Sequence, residues 1–369
     1  MTRFTGEFTS NTLAGSANQN WFKPENPTEL YTGRVFYKLF SGGNQSYSLL
    51  YSNGIDTTFA DGQHSYAERQ LKSWTIHKLS VGICPPNVDF TQNRLSHMHP
   101  VLFGGEPQKS LEASKRVMTD SINLSAQAGD YLCVEVTFSG EEVPCHTELI
   151  IPCFCRKAGK FVPSTEVPVP GLIGSDRPVF GQIGFLGDSI TQGIGTPANK
   201  YTHWTAEVAK RWGNNWAYWN LGVGYARASD AAKNGAWLSK AMCCDFVSIC
   251  LGVNDIKQGC SAELIEQSLQ EITTQLYRRG IAYGIFTIPP FDYDVEATKR
   301  WEQVNSYIKK ALSANAAYVF DTAAVLGSPD DRSKPIYGAH PNELGCEKLA
   351  EAFCRKYKSP KEIFENKRA

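Results

Sequence analysis

Four short motifs of this 369-residue chain carry residue types that can perform nucleophilic chemistry. They are Gly187–Thr191 (GDSIT), Asn220–Tyr225 (NLGVGY), Gly252–Asp255 (GVND) and His340–Asn342 (HPN). A serine hydroxyl becomes a useful nucleophile when a neighbouring base accepts its proton, and a neutral imidazole does this near pH 7. An asparagine amide can donate a hydrogen bond to a developing negative oxygen. Each motif alone is typical of a turn or a helix cap, so the interpretation depends on their order along one chain.

The second half of the chain alternates apolar, strand-like runs with amphipathic, helix-like runs. This alternation predicts an α/β domain with a parallel sheet covered by helices on both faces. The predicted strands are 181–187, 216–220, 245–251, 281–288 and 316–321, and the predicted helices are 201–212, 228–242, 262–279, 297–312 and 343–357. Ligands of such sheets bind at the carboxyl ends of the strands, and three of the four motifs end or follow a predicted strand.

The first half of the chain has a different pattern of polar and apolar residues. Residues 34–151 contain short segments of partly alternating polarity, separated by turns rich in Gly and Asn. This pattern predicts an antiparallel β-sandwich, jelly-roll-like, with almost no helix. A proline-rich stretch without a sustained period follows. We therefore predict a sandwich domain over 1–165, a linker over 166–180 and a catalytic domain over 181–369.

Composition excludes several classes of partner. Lys and Arg together number 37, as do Asp and Glu, so nothing favours nucleic acid or an anionic membrane. The N-terminus lacks the apolar segment of a secretory signal, and we expect a cytoplasmic protein without membrane insertion. The eleven cysteines are expected to be reduced and mostly buried. His97 and His99 have HxH spacing without an evident third ligand, so we predict neither a metal site nor a cofactor.

In this order, the four motifs resemble the conserved blocks of the SGNH/GDSL hydrolase family, over about residues 181–357. The resemblance implies a flavodoxin-like three-layer α/β/α domain in which Ser189 attacks an ester carbonyl and His340 is the general base. It also implies an oxyanion hole built from backbone N–H groups and one amide side chain. The residues assigned to that hole are Ser189, Gly224, Tyr225 and Asn254.

The chain departs from the family pattern beside the histidine. Family members usually carry Asp three residues before it, but this chain has Tyr337. Another group must then accept the hydrogen bond from the imidazole Nδ1. We favour a backbone carbonyl in residues 334–338, which requires no long excursion of the chain. The alternatives are the carboxylates of Asp330 and Asp331.

A second departure lies in the NLGVGY motif. Counting from Asn220, Tyr225 occupies the place of the usual oxyanion glycine, and Gly224 is one residue early. A backbone donor survives any side chain except proline, so either residue can supply the N–H. Asp188 is expected to fix the turn before the helix that follows Ser189.

These features predict a serine hydrolase that cleaves carboxylic esters through an acyl-enzyme on Ser189. A sandwich followed by an SGNH domain resembles two-domain carbohydrate esterases, which implies deacetylation of a sugar or oligosaccharide ester. Two alternatives remain open: a lysophospholipase or thioesterase using the same site, and a non-catalytic protein that binds a glycan or a partner with a degenerate site. The sequence predicts no oligomeric state.

Overall fold

The computed structural model describes residues 3–15, 17–56, 69–113, 115–146, 151–327 and 339–365. The chain divides into two compact units, Met1–Val179 and Phe180–Ala369. Within the described ranges, no helix has both the length and the apolar character that crossing a membrane requires.

The first unit is built from antiparallel strands, and its described residues include no helix. Its strands are β1 (Thr9–Ser10), β2 (Asn20–Phe22), β3 (Tyr31–Lys38), β4 (Gly43–Ser52), β5 (Gly54–Ile55), β6 (Arg69–Gln70), β7 (Trp74–Cys84), β8 (His99–Val101), β9 (Lys109–Leu111), β10 (Arg116–Met118), β11 (Ile122–Ala126), β12 (Tyr131–Gly140), β13 (Val143–Cys145), β14 (Cys153–Lys157), β15 (Lys160–Pro163) and β16 (Leu172–Ser175).

Two of its sheets hold most of these strands. One has the order β1-β16-β4-β10, with β11 also paired to β4, and the other has the order β15-β14-β3-β12-β7-β8, with β9 also paired to β7. Tyr51 of β4 and Trp74 of β7 are buried, and their rings meet edge to face at 6.2 Å. The two sheets therefore pack through apolar faces, which confirms the predicted antiparallel β-sandwich. Its jelly-roll character stays a prediction.

The structure corrects the predicted linker. Strand β16 lies inside residues 166–180, yet it pairs antiparallel with both β1 and β4. Leu172 and Ile173 of this strand are fully buried. Prolines at 168, 170 and 178 obscure this strand in the sequence, because proline cannot donate to a ladder and usually marks a strand boundary. Along the chain, the boundary between the two units falls between Val179 and Phe180, close to the end of the predicted linker.

The second unit alternates strands and helices. Its strands are β17 (Gln182–Gly187), β18 (Ala217–Gly222), β19 (Phe246–Cys250), β20 (Ala282–Phe286) and β21 (Tyr318–Phe320). Its helices are α1 (Ser189–Gln192), α2 (Trp204–Trp212), α3 (Ala228–Ala232), α4 (Ala236–Ala241), α5 (Val253–Lys257), α6 (Ala262–Arg278), α7 (Val295–Lys310), α8 (Thr322–Leu326), α9 (Glu343–Lys356) and α10 (Pro360–Glu365), with a 3₁₀ turn at Leu312–Ala314.

The five strands form a parallel sheet in the order β18-β17-β19-β20-β21. This is the flavodoxin-like order, in which the first and third strands of the domain are neighbours and the chain turns in opposite directions from them. Helix α9 contacts both α2 and α8, and α3, α4, α6 and α7 form a second group. The predicted α/β/α class is confirmed. The crevice of this fold is expected at the carboxyl ends of β17 and β19, where Ser189 and Asn254 follow.

Several predicted helix boundaries differ from the structure. The helix predicted over 228–242 is divided into α3 and α4, because Asn234 between them has a left-handed φ of 58°. Helix α2 begins at Trp204, three residues after the predicted start, because Tyr201 has a positive φ of 52°. The short helices α1, α5, α8 and α10 were not predicted, because four to six residues are too few to show a helical period.

Burial follows the predicted pattern with one exception. On α6, the side chains of Ile265, Leu269, Ile272 and Leu276 are buried, but Leu264 is 44% exposed. Leu264 lies in the first turn, where its N–H is capped by the Ser261 hydroxyl, and it is rotated away from the buried stripe. Nine of the eleven cysteine side chains are buried, and the other two are half-buried.

Candidate active site

The hydroxyl of Ser189 is hydrogen-bonded to the imidazole of His340. Its Oγ lies 2.9 Å from His340 Nε2. Ser189 is the first residue of α1, directly after the carboxyl end of β17, so its backbone N–H has no acceptor within the helix. The preceding residue, Asp188, caps this helix by accepting a hydrogen bond from Ile190 N at 2.9 Å. The hydroxyl and the backbone N–H of Ser189 therefore both lie at the carboxyl end of the sheet.

The glycines of two motifs let α1 pack directly onto the strand ends. A Cβ at Gly187 would overlap Thr191 Oγ1, and a Cβ at Gly222 would overlap the backbone of Gln192. Asn220, on the neighbouring strand β18, donates from Nδ2 to Thr191 O at 3.0 Å. The short helix that begins with Ser189 is thus held by close backbone approach and by a buried amide.

The GVND motif anchors the loop after β18. Asn254 Nδ2 donates to Ala226 O at 2.9 Å. Asp255 is completely buried and accepts from Ala228 N at 2.8 Å and from Ser229 N at 3.4 Å. An amide nitrogen carries two hydrogens, so Asn254 retains a second donor after bonding Ala226. The motif therefore fixes the second loop and still offers a hydrogen bond at the same sheet edge.

Tyr225 adopts a conformation that usually requires glycine. Its φ is 63°, and the hydrogen bond from Ala226 N to Val223 O closes a four-residue turn in which Tyr225 is third. Type II turns need a positive φ at this position, which favours glycine. This requirement gives a physical reason for the glycine that the family usually carries there. The chain keeps the turn while accepting a strained tyrosine.

His340 precedes helix α9, which is capped by Asn342 through a hydrogen bond from Gly345 N at 3.1 Å. The imidazole is 6% exposed. Its ring meets the ring of Phe291 almost perpendicularly, with centroids 5.2 Å apart and an interplanar angle of 78°. Phe291 follows β20, so residues after β17 and after β20 both contact the imidazole of this late loop.

Comparison with known proteins identifies this unit. Residues 185–348 match the family model described as GDSL-like Lipase/Acylhydrolase family. The second unit therefore contains a GDSL-like lipase/acylhydrolase domain over residues 185–348. Among curated proteins, no significant match to the chain is found.

Solved structures similar to the chain align with roughly its GDSL-like half. A member of the lipolytic protein G-D-S-L family from Veillonella parvula DSM 2008 is 21% identical, with a TM-score of 0.42, and the alignment covers 48% of this chain and 98% of that one. Est24, a carbohydrate acetylesterase from Sinorhizobium meliloti, is 19% identical, with a TM-score of 0.39 and the same coverages. The aryl esterase of M. smegmatis is also 19% identical, with a TM-score of 0.38 and the same coverages.

A buried carboxyl lies beneath the nucleophile of the GDSL-like domain. Asp188 is 1% exposed, and within the described part of the chain its Oδ2 has no hydrogen-bond partner. The pKa of Asp188 is raised to about 7, mainly by burial and also by the charge of Asp255, while the hydrogen bond from the Ile190 N–H acts in the opposite direction. Burial likewise raises the pKa of Asp255 to about 6. Asp188 therefore serves the site as a helix cap whose charge is poorly accommodated.

Sequence motifs located some of the residues around the GDSL-like site and missed others. The structure brings Ser189 and His340 into contact and places Asn254 at the neighbouring strand end. Asp330, Asp331, Tyr337 and residues 334–338 lie outside the described residues, so the group that orients His340 Nδ1 stays a prediction. Among the side chains that the structure does describe, no group of three or more His, Cys, Asp or Glu could hold a metal ion.

The missed residues lie after β20. Phe291 packs on His340, and Asp292 accepts a hydrogen bond from Lys257 Nζ at 2.9 Å. Ligands of a parallel sheet bind at the carboxyl ends of its strands, and the segment after β20 lies at such an end. Residues 289–293 (PPFDY) include Asp292 and Tyr293, but none of the four motifs contains them, which is why the sequence did not select this segment.

Proposed function

We propose that this protein is a serine ester hydrolase in which Ser189 is the nucleophile and His340 the general base. The observation that carries the proposal is the 2.9 Å contact between Ser189 Oγ and His340 Nε2. This distance lies within the range of about 2.6–3.2 Å expected of a nucleophile and its base. The hydroxyl donates when the imidazole proton is on Nδ1, so that Nε2 is the acceptor.

Acylation follows from this arrangement. Ser189 Oγ attacks the ester carbonyl carbon while His340 Nε2 takes the hydroxyl proton. The tetrahedral intermediate then collapses, the bond to the alcohol oxygen breaks, and the imidazolium gives its proton to that oxygen. Water repeats the sequence on the acyl-enzyme, with His340 again as base, and releases the carboxylic acid.

The carbonyl oxygen becomes negative in both steps and needs donors already aimed at it. We assign this role to the N–H of Ser189, the second amide hydrogen of Asn254 and a backbone N–H of Gly224 or Tyr225. The first is free of intrahelical bonding because Ser189 begins α1. The second belongs to an amide already fixed by Ala226 O. Fixed donors stabilise the transition state without reorganising during the reaction.

The proposed substrate is an acetyl ester of a sugar or oligosaccharide. Its support is the succession of a β-sandwich and a GDSL-like domain in one chain, an arrangement that resembles two-domain carbohydrate esterases. Such support is an analogy between architectures, so acyl length requires a direct test.

Substitution of the nucleophile tests the reaction. Ser189→Ala should lower kcat for p-nitrophenyl acetate by on the order of 10⁴-fold or more, with little change in melting temperature. A fluorophosphonate probe should label the wild type and fail to label Ser189→Ala. Ser313→Ala is the matched control, since Ser313 is an exposed serine after α7 whose hydroxyl bonds only Lys310 O at 3.3 Å. Equal hydrolysis by wild type and Ser189→Ala would refute the proposal.

A substrate series tests the acyl group. Acetylated mono- and oligosaccharides would be compared with p-nitrophenyl esters of increasing acyl length and with an acyl thioester. A deacetylase should show kcat/KM falling as the acyl chain lengthens and should release acetate from the sugars. A rate that rises with chain length would instead indicate a lysophospholipase or thioesterase. Folded wild-type protein without any Ser189 labelling would indicate a binding protein.

A further inference from the structure

The ring of Phe291 forms one wall of the pocket that holds the His340 imidazole. Both side chains are buried, at 7% and 6% exposure, and their rings meet at 78° with centroids 5.2 Å apart. A near-perpendicular arrangement at this separation is a favourable geometry for two aromatic rings. A buried ring in van der Waals contact also blocks rotamers that would move the imidazole into its space.

Helix α7 fixes the start of the segment that carries Phe291. Ile288 N donates to Asn305 Oδ1 at 2.7 Å, and Ile288 O accepts from Trp301 Nε1 at 2.7 Å and from Asn305 Nδ2 at 3.1 Å. Asn305 is buried, so its bonds to Ile288 are shielded from water. The chain therefore leaves β20 in a fixed direction, three residues before Phe291.

Lys257 holds the far side of the same segment. Its Nζ donates to Asp292 Oδ1 at 2.9 Å and to Asp292 O at 3.1 Å, and it lies 6.0 Å from the centroid of the Phe291 ring. Lys257 is the last residue of α5, and Asn254 lies in the first turn of that helix. One short helix thus carries the proposed oxyanion amide and the lysine that secures the wall of the imidazole pocket.

We propose that Phe291 is a positioning residue for His340, and that Lys257 secures it by binding Asp292. This inference rests on the function proposed above. The imidazole must keep Nε2 within hydrogen-bond reach of Ser189, and a misplacement of about 1 Å can cost about 100-fold in rate. Packing of Phe291 against the imidazole restricts rotation of the ring, whichever group accepts the hydrogen bond from Nδ1.

Leucine at position 291 tests the proposal, because it keeps apolar bulk and removes the flat ring. Phe320→Leu is the matched control: Phe320 is 5% exposed and packs against Phe286 and Phe353, in the same domain. We expect Phe291→Leu to lower kcat by about 10- to 100-fold with KM changed less than about threefold. Phe320→Leu should lose a similar amount of melting temperature and keep kcat within about twofold of wild type. Equal effects of both variants on kcat would overturn the proposal.

Restoring an aromatic ring and removing the lysine refine the test. Phe291→Tyr should recover most of the lost kcat, because the perpendicular ring contact is kept. Lys257→Met should lower kcat a few-fold, and it should add little to Phe291→Leu, since both changes loosen one wall. Full additivity of the two losses would contradict a shared role.

A measurement that does not depend on turnover separates this inference from the proposed function. In protein labelled with ¹⁵N-histidine, the His340 signals would be assigned by their loss in His340→Gln. At about pH 8 the wild type should show one dominant neutral tautomer with the proton on Nδ1, and Phe291→Leu should show an averaged spectrum. If no Ser189-dependent hydrolysis exists, the proposed function fails on that ground. The positioning role would then fail only if the His340 spectrum were unchanged by Phe291→Leu.

Discussion

Two buried charged residues, one in each unit, are matched by their surroundings to different degrees. In the sandwich, Arg34 of β3 is 1% exposed, and each of its guanidinium nitrogens donates a hydrogen bond: Nε and Nη2 donate to Glu135 Oε2 at 3.1 and 2.6 Å, and Nη1 donates to Gln92 O at 2.6 Å. Its guanidinium also lies 3.8 Å from the centroid of the Phe161 ring. In the GDSL-like domain, Asp188, which precedes the nucleophile, is equally buried, but one of its oxygens has no hydrogen-bond partner among the described residues.

The surroundings of Arg34 are those of a stabilising charge, whereas the surroundings of Asp188 are typical of a reactive site. A buried charge that is fully paired keeps its ionised form and locks the strands that carry it. A buried carboxyl with one partner instead shifts its pKa toward the neutral form. Two residues of the neighbouring motifs also depart from the most stable arrangement: Asn254 retains a donor hydrogen, and Tyr225 has a left-handed backbone. Polar groups left available at a sheet edge favour binding and catalysis at the expense of stability.

Breaking the matched charge should give the largest effect on stability. Arg34→Met leaves Glu135 without its cation and Gln92 O without its donor. Breaking buried pairs costs about 3–5 kcal/mol, and we expect the lower end because the Glu135 side chain is 28% exposed. Urea unfolding of the full chain would measure the loss. Arg156→Met, at an exposed position of β14, is the control and should change the unfolding free energy by less than about 0.5 kcal/mol.

A small effect of Arg34→Met would show that the sandwich tolerates an unpaired buried partner. The contrast with Asp188 would then have no energetic basis, even though the geometry differs.

Removing the spare donor should act on rate more than on stability. Asn254→Ala deletes an amide that we assign to the oxyanion hole, and loss of one such donor costs about 10²–10³-fold in kcat. The measurement is kcat for p-nitrophenyl acetate together with the melting temperature. Asn315→Ala, at an exposed asparagine after the 3₁₀ turn, is the control. If Asn254→Ala kept kcat within tenfold of wild type, the amide would be only an anchor for Ala226.

Neutralising the poorly matched carboxyl should change how stability depends on pH. The pKa of Asp188 in the folded protein is raised to about 7 from an ordinary value of 3.8, so its favourable contribution is complete below about pH 4 and is lost as the pH rises toward 7. Asp188→Asn stays neutral. Its unfolding free energy relative to wild type should therefore rise between pH 5 and pH 8, by up to a few kcal/mol.

Urea unfolding at four pH values in that window would measure this difference. Asp294→Asn provides the baseline, because Asp294 also caps a helix, accepting from Ala297 N at 2.7 Å, but is exposed. If the unfolding free energies of wild type and Asp188→Asn changed in parallel with pH, the buried carboxyl would not titrate in this window.

The sequence predicted the residues near strand ends, but it did not predict contacts between distant parts of the chain. Ser189 and Asn254 could be found because each lies within four residues of the end of a strand, and a parallel sheet brings strand ends together without further information. The contact of Phe291 with His340 joins residues 49 positions apart through loop packing, which no local pattern encodes. Strand β16 was missed for a related reason, since its partners β1 and β4 lie more than 100 residues earlier.

Relieving the backbone strain of the site should give the smallest change. Tyr225→Gly removes a left-handed tyrosine whose cost is about 1–2 kcal/mol. Glycine loses more conformational entropy on folding, about 0.5–1 kcal/mol, so the net effect should be a stabilisation of less than about 1.5 kcal/mol. Tyr307→Gly is the control, because Tyr307 lies inside α7, where glycine costs about 1 kcal/mol. The two substitutions should therefore shift the unfolding midpoint in opposite directions. A loss at both positions would show that the Tyr225 side chain stabilises the loop by more than its backbone strain costs.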